Sequence, residues 1–234
     1  MQIGLLLFPK LTQLDFAGPY EVFARTPGAT VHVIWKSLAP VASDRGLQIV
    51  PTATFATCPQ LDVICVPGGP GQIDLMDDRE TLDFLRRQSA RARWVTSVCT
   101  GSLVLAAAGL LDGYRAACHW ASREQLALLG AVPDSGRVVF DRDRVSGGGV
   151  TAGIDFALSL VAHMIGEDAA KEIQLGLEYA PAPPFRAGSP EEADGALVER
   201  VRGKMLPMLE RRREATMRAA RASGRSTETS TAAR

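Results

Sequence analysis

The sequence predicts a doubly wound α/β sandwich, a mainly parallel sheet flanked by helices. Three observations predict it. Residues 3–8, 61–66 and 94–98 are short apolar runs of strand length, fitting strands covered on both faces. Segments of helical pattern lie between them, so strand and helix alternate along the chain. Two of the runs stop at turn chemistry of distinct kinds, Pro67-Gly68-Gly69-Pro70-Gly71 and Cys99-Thr100-Gly101.

Taken in order, the first strand ends at Pro9, and a helix follows over residues 20–24 with Pro19 in its first turn and Asp15 just ahead of it. Residues 30–35 form a second strand. Asp44-Arg45-Gly46 joins residues 41–43 and 47–50 as a hairpin. The strand at 61–66 leads through the glycine loop to a helix over about residues 79–92. The strand at 94–98 runs into a helix over residues 103–108, closed by Gly109. His119-Trp120-Ala121 leads a helix capped near Gly130. Asp141-Arg142-Asp143 turns a second hairpin between residues 138–140 and 144–146. Gly147-Gly148-Gly149 then opens helices over 151–165 and 168–177. Residues 1–190 are read as one domain. After the Pro-rich crossing at 180–185, residues 191–224 form a helical extension packing on that domain or on a partner, and 225–234 a flexible tail.

Composition narrows the function. The formal charge is zero and 46% of residues are hydrophobic, which argues against disorder and against polyanion binding. The run Arg211-Arg212-Arg213 is interleaved with Glu199, Glu210 and Glu214, so a solvated helical face is expected rather than a nucleic-acid site. No apolar run reaches membrane-spanning length and no basic region precedes residue 3, so no membrane association and a cytoplasmic location are expected. Cysteines 58, 65, 99 and 118 form no Cys-x-x-Cys pair, and the three histidines make no ligand set; neither metal nor cofactor is expected.

Cys99 is the chemical focus. At a sharp strand-to-helix turn its side chain is pushed outward, as at the nucleophile elbow of α/β hydrolases. The N-terminus of the following helix is expected to favour a thiolate. In such sheets ligands bind at the carboxyl ends of strands, where the Asp15 segment, the Gly68-Gly69 loop and the Cys99 turn converge. The Gly69 N–H suits a developing negative charge, with Pro70 beside it, or the loop is a plain turn. Thr100 offers an N–H and a hydroxyl, or caps the helix. Asp15, flanked by Leu14 and Phe16, either caps the helix before Pro19 or stands protonated beside the sulfur as an acid and then a base. His119, Gly148 and an inward-facing Val150 are candidates to line the substrate pocket, with Gly147–Gly149 as a mobile turn.

These stretches together resemble the DJ-1/PfpI superfamily, within the flavodoxin-like sandwiches. The carrying segments are residues 13–19 around Asp15, 63–69 into Gly68-Gly69, 96–102 around Cys99, His119-Trp120, 147–157 and 174–185. Threonine follows the cysteine where protease-like members carry histidine, and Asp15 stands where DJ-1-like members carry glutamate; both departures point to isocyanide hydratases. AraC-type regulators fuse such a domain to helix-turn-helix units, and this chain is too short to hold them. The resemblance implies a small-molecule isocyanide substrate, Cys99, Asp15 and Thr100 as catalytic residues, no cofactor, and a homodimer. Rival readings are a ligand or redox sensor acting through Cys99 and a cysteine-dependent amidase- or glyoxalase-like hydrolase.

Overall fold

The computed structural model describes residues 1–225; 226–234, most of the expected tail, lie outside the described residues. Strand β1 (Gln2–Leu6) leads to helix α1 (Gln13–Phe23), then to β2 (Thr30–Trp35), the hairpin β3 (Val41–Ala42) and β4 (Gln48–Ile49), and β5 (Ala53–Thr54). Next come β6 (Val63–Val66), a one-turn helix α2 (Gln72–Leu75), α3 (Arg79–Ser89), β7 (Trp94–Val98) and α4 (Gly101–Ala107). Beyond them lie β8 (Arg115–Ala117), a 3₁₀ helix (Arg123–Leu129), β9 (Val132–Asp134), β10 (Val138–Asp141) and β11 (Arg144–Gly147). Three helices follow: α5 (Ala152–Ile165), α6 (Glu167–Gly176) and α7 (Gly195–Ala222).

The main sheet has the order β10-β11-β7-β6-β1-β2-β5, and its pairs are parallel except β10 with β11. Every residue of β6 and β7 is buried, as continuous apolar strands covered on both faces require. Register sets Cys65 beside Thr96 and Val98 beside Gly147. The parallel order thus delivers the ends of β1, β6, β7 and β11 to one edge of the sheet, where such folds place their ligands.

The structure revises four local expectations. Helix α1 starts at Gln13, so Asp15 lies inside its first turn and Pro19 in its interior. The proline ring is accommodated against α5, where a Cβ on Gly153 would stand 3.0 Å from Pro19 Cδ. On the other partner of this crossing a Cβ on Gly18 would meet Ile154 at 3.1 Å, so two small residues let the helices approach closely. Second, the segment after His119 is a 3₁₀ helix, ended by Gly130 in the left-handed region at φ 82°. Third, the short strands β5, β8 and β9 are additions; each is two or three residues long, below what periodicity detects.

The fourth concerns α7. It is capped by Asp194, whose carboxylate accepts from the N–H groups of Ala196 and Leu197, and it packs on the 3₁₀ helix, α2 and α4. Its arginine run is not a wholly solvated face: Arg212 is 2% exposed and points into the protein. Among the described residues no helix is long and apolar enough to cross a membrane.

Candidate active site

Between β7 and α4 the backbone reverses within two residues. Cys99 takes φ 57°, a left-handed conformation that a side chain normally avoids. Its N–H donates to the Gly147 carbonyl at 3.0 Å, and its own carbonyl accepts from the Ser102 hydroxyl at 3.0 Å. Gly101 is required beside it, because a Cβ there would run into the Val66 carbonyl. The elbow is therefore pinned from both sides.

Asp15 is fully buried beside the elbow: its Oδ2 and the Thr100 nitrogen both lie within 2.8 Å of where a Cβ on Gly68 would stand. Its Oδ2 accepts from the Gly68 N–H at 3.0 Å, while Oδ1 has no hydrogen-bond partner among the described residues. Helix capping does not explain it, since Thr12 is the N-cap of α1. Burial pushes the Asp15 carboxyl up to about 7, against the nearby Cys99 thiol and the Gly68 N–H, which favour its ionised form. Burial also pushes the Cys99 thiol well above its ordinary range, and the neighbouring Asp15 charge adds to that; the Thr100 N–H opposes it. The thiolate expected from the helix terminus is thus offset by desolvation. The two groups titrate as a pair, losing one proton near neutrality and holding the second.

The loop after β6 serves a different end from the one expected. The Gly69 N–H donates to Thr100 Oγ1 at 3.1 Å, so it is occupied rather than free for a developing charge. Because Oγ1 accepts that bond, the Thr100 hydroxyl proton remains available to donate elsewhere. Gly68, which the sequence marks as part of the converging loop but gives no role of its own, holds the acid. A Cβ on Gly68 would stand 2.6 Å from Thr100 N, 2.7 Å from Thr100 Oγ1 and 2.8 Å from Asp15 Oδ2. Gly68 and Gly69 therefore clamp Asp15 and Thr100, the residues flanking the sulfur. Pro70, half-buried, starts the turn into α2 through its carbonyl, which accepts from the Ile73 N–H.

The remaining candidates are less tightly tied to Cys99. The Gly148 N–H donates to the Arg137 carbonyl at 2.9 Å and so is not free for a substrate. Val150 is half-buried against the core. His119 accepts from the Ala121 N–H through Nδ1 at 3.3 Å and stacks obliquely on Trp120. Burial and the Arg212 charge hold its imidazole neutral, with its ionisation lowered to about 4. Cys65 and Cys118 are buried, their thiols pushed up to about 12 and about 11 mainly by burial. Among the described residues no group of three or more His, Cys, Asp or Glu side chains is arranged to hold a metal ion. A cavity of about 120 Å³ between Trp120, Pro190 and Leu197 has no ionisable group in its lining, so the chemistry belongs at the elbow.

A parallel α/β sandwich with a cysteine on a left-handed turn and a buried carboxyl against it defines the class: elbow-cysteine proteins with an acid partner. Residues 1–163 match the DJ-1/PfpI family, and the chain belongs to it. An isonitrile hydratase of Pseudomonas putida is 58% identical over 220 residues, covering 94% of this chain and 96% of that one. The crystal structure of a ThiJ/PfpI family protein from Pseudomonas syringae superposes with a TM-score of 0.90 at 45% identity, covering 92% of this chain and 90% of that one. Drosophila melanogaster DJ-1beta superposes with a TM-score of 0.70 at 25% identity, over 77% of this chain and 98% of that one.

Proposed function

We propose that this protein is an isocyanide hydratase, adding water to R–N≡C to give the formamide R–NH–CHO. The observation that carries the chemistry is the fully buried Asp15 carboxyl, held by the Gly68 N–H beside the left-handed Cys99 elbow. The near full-length likeness to an isonitrile hydratase supports the choice of substrate.

In this reading Asp15 takes the thiol proton as Cys99 Sγ attacks the terminal isocyanide carbon, and returns it to that same carbon. The product is a covalent thioimidate, R–N=CH–S. Water then adds across C=N, with Asp15 accepting a proton from the water and passing one to nitrogen. The tetrahedral adduct collapses to the formamide and releases the sulfur. Overall one water is consumed and the acid and thiol return to their starting state. In the same reading the Thr100 hydroxyl, whose proton Gly69 leaves unclaimed, orients the substrate or the incoming water. Pro70, His119 and Val150 are assigned to the surrounding wall, a position less constrained than that of the clamp. A homodimer and a cytoplasmic location are part of the same proposal, the former open to sedimentation measurement.

The test is formamide release from an aryl or alkyl isocyanide, with methylglyoxal and a peptide amide as controls. Wild-type protein is expected to act on the isocyanide alone, and Cys99→Ala to lower turnover by at least about 10³-fold. Binding without turnover would assign the protein to sensing. Activity retained by Cys99→Ala would rule out the covalent route.

A further inference from the structure

Arg212 is the one arginine of α7 among the buried residues, and its three hydrogen bonds all go to neutral groups. Nε donates to Gln72 Oε1 at 2.6 Å, Nη1 to Ser122 Oγ at 2.9 Å, and Nη2 contacts Met208 Sδ at 3.6 Å. Among the described residues no carboxylate pairs with it. A buried cation without a counter-ion is costly, and a fold that keeps one has a use for the charge or for the bonds.

Both uses lead to the elbow. Gln72 follows the clamp loop directly, its N–H donating to the Gly69 carbonyl at 3.2 Å. The Ser122 N–H donates to the His119 carbonyl at 2.9 Å, which places it on the loop after β8 beside Cys118. Ser102, which donates to the Cys99 carbonyl, also favours the ionised form of the Cys118 thiol, so it stands between the two cysteines. The ionisable groups facing this centre are Asp15 from α1, Cys65 from β6, Cys99 from the elbow, Cys118 and His119 after β8, and Arg212 from α7. Asp44 stands behind Asp15, and Arg123 behind Cys118. The charge of Arg212 is felt at Cys118 and at Cys99.

We propose that Arg212 is a positioning residue for the chemistry at Cys99: it ties the loop after β6 to the loop after β8 and sets a buried positive charge on the Cys99 side of the site. When the pair gives up its first proton, the interior then holds one negative and one positive charge rather than a lone anion. The C-terminal helix, though remote in sequence, becomes a working part of the site. This rests on the hydratase reading for its substrate but not for its first readout.

That readout is the rate of Cys99 alkylation by iodoacetamide against pH, followed at the Cys99 peptide by mass spectrometry. In Arg212→Met the alkylation profile is expected to move to higher pH. Isocyanide kcat is expected to fall at least about tenfold with KM within about twofold. Arg212→Lys, which keeps the charge but not the fork, is expected to restore the alkylation profile more fully than kcat. Should Arg212→Met not fold, Gln72→Glu decides: it keeps the bond and supplies a carboxylate that neutralises the guanidinium, so the profile is expected to move the same way. A folded Arg212→Met, or a Gln72→Glu, with wild-type alkylation overturns the proposal. Wild-type protein that fails to hydrate isocyanides while its alkylation still depends on Arg212 would sink the hydratase reading and leave this one standing.

Discussion

Two glycine-rich loops reach the same edge of the sheet, one after β6 and one after β11, and they differ sharply in how they are packed. At Gly68 a side chain would strike Thr100 and Asp15 within 2.8 Å. At Gly148 the nearest atom to such a side chain is 3.5 Å away, and at Gly149 none lies within 4 Å. In the first loop the N–H groups of Gly68 and Gly69 hold Asp15 and Thr100; in the second, that of Gly148 faces outward to Arg137. Both loops are built on adjacent glycines, so what distinguishes a working glycine from a spacer is the neighbour that would be displaced.

The largest effect is expected where the first loop holds its acid. Asp15→Asn keeps an oxygen for the Gly68 N–H but removes the proton carrier, so hydration should fall by about 10²–10³-fold with the fold intact. Two pH dependences accompany it. Wild-type kcat/KM should rise as pH passes through about 7, where the pair becomes a monoanion. Stability should run the other way. The Asp15 carboxyl is raised on folding, so its contribution is fully present below its ordinary value near 4 and is lost as pH rises through about 7. Asp15→Asn should therefore melt higher than wild type at pH 8, with the difference closing toward pH 4. A wild-type rate in this variant would reduce the first loop to a turn.

Gly68→Ala comes next. Its methyl must displace backbone at Thr100, which should cost about 1–3 kcal/mol and lower kcat about tenfold, measurable by denaturant melts and formamide assay. Thr100→Val removes the acceptor for the buried Gly69 N–H and the free hydroxyl, so kcat should fall by about tenfold or less and the melting temperature by a few degrees. The smallest effect is expected in the second loop: Gly149→Ala should change stability by no more than about 0.5 kcal/mol and activity by less than about twofold. A large loss there would erase the contrast between the loops.

Much of this was legible in the residues. β1, β6 and β7 announce themselves as unbroken apolar runs, and the sharp strand-to-helix turn follows from Cys99-Thr100-Gly101 after such a run, though not the left-handed backbone at its apex. The hairpin at Asp141-Arg142-Asp143 was equally plain, with Arg142 taking the positive φ that a tight turn needs. Asp15 stood out because a carboxylate between Leu14 and Phe16 needs a reason. The structure placed it inside α1 because Pro19, read as a helix start, is tolerated in the interior against Gly153. Gly69 was read as a free donor because the hydroxyl that takes its N–H belongs to a residue 31 positions away. Arg212 was hidden for the same reason: its partners lie 140 and 90 residues back, and its two arginine neighbours gave no hint that one of three would turn inward.

The turn at residue 99 has one more consequence. A left-handed backbone suits glycine, and any residue with a side chain adopts it at about 1 kcal/mol disadvantage. The sulfur at this position fills core space, so its packing offsets the strain of the turn that carries it. Exchanging Cys99 for glycine should relieve the backbone and open a void together, leaving resistance to heat within a few degrees of its starting point.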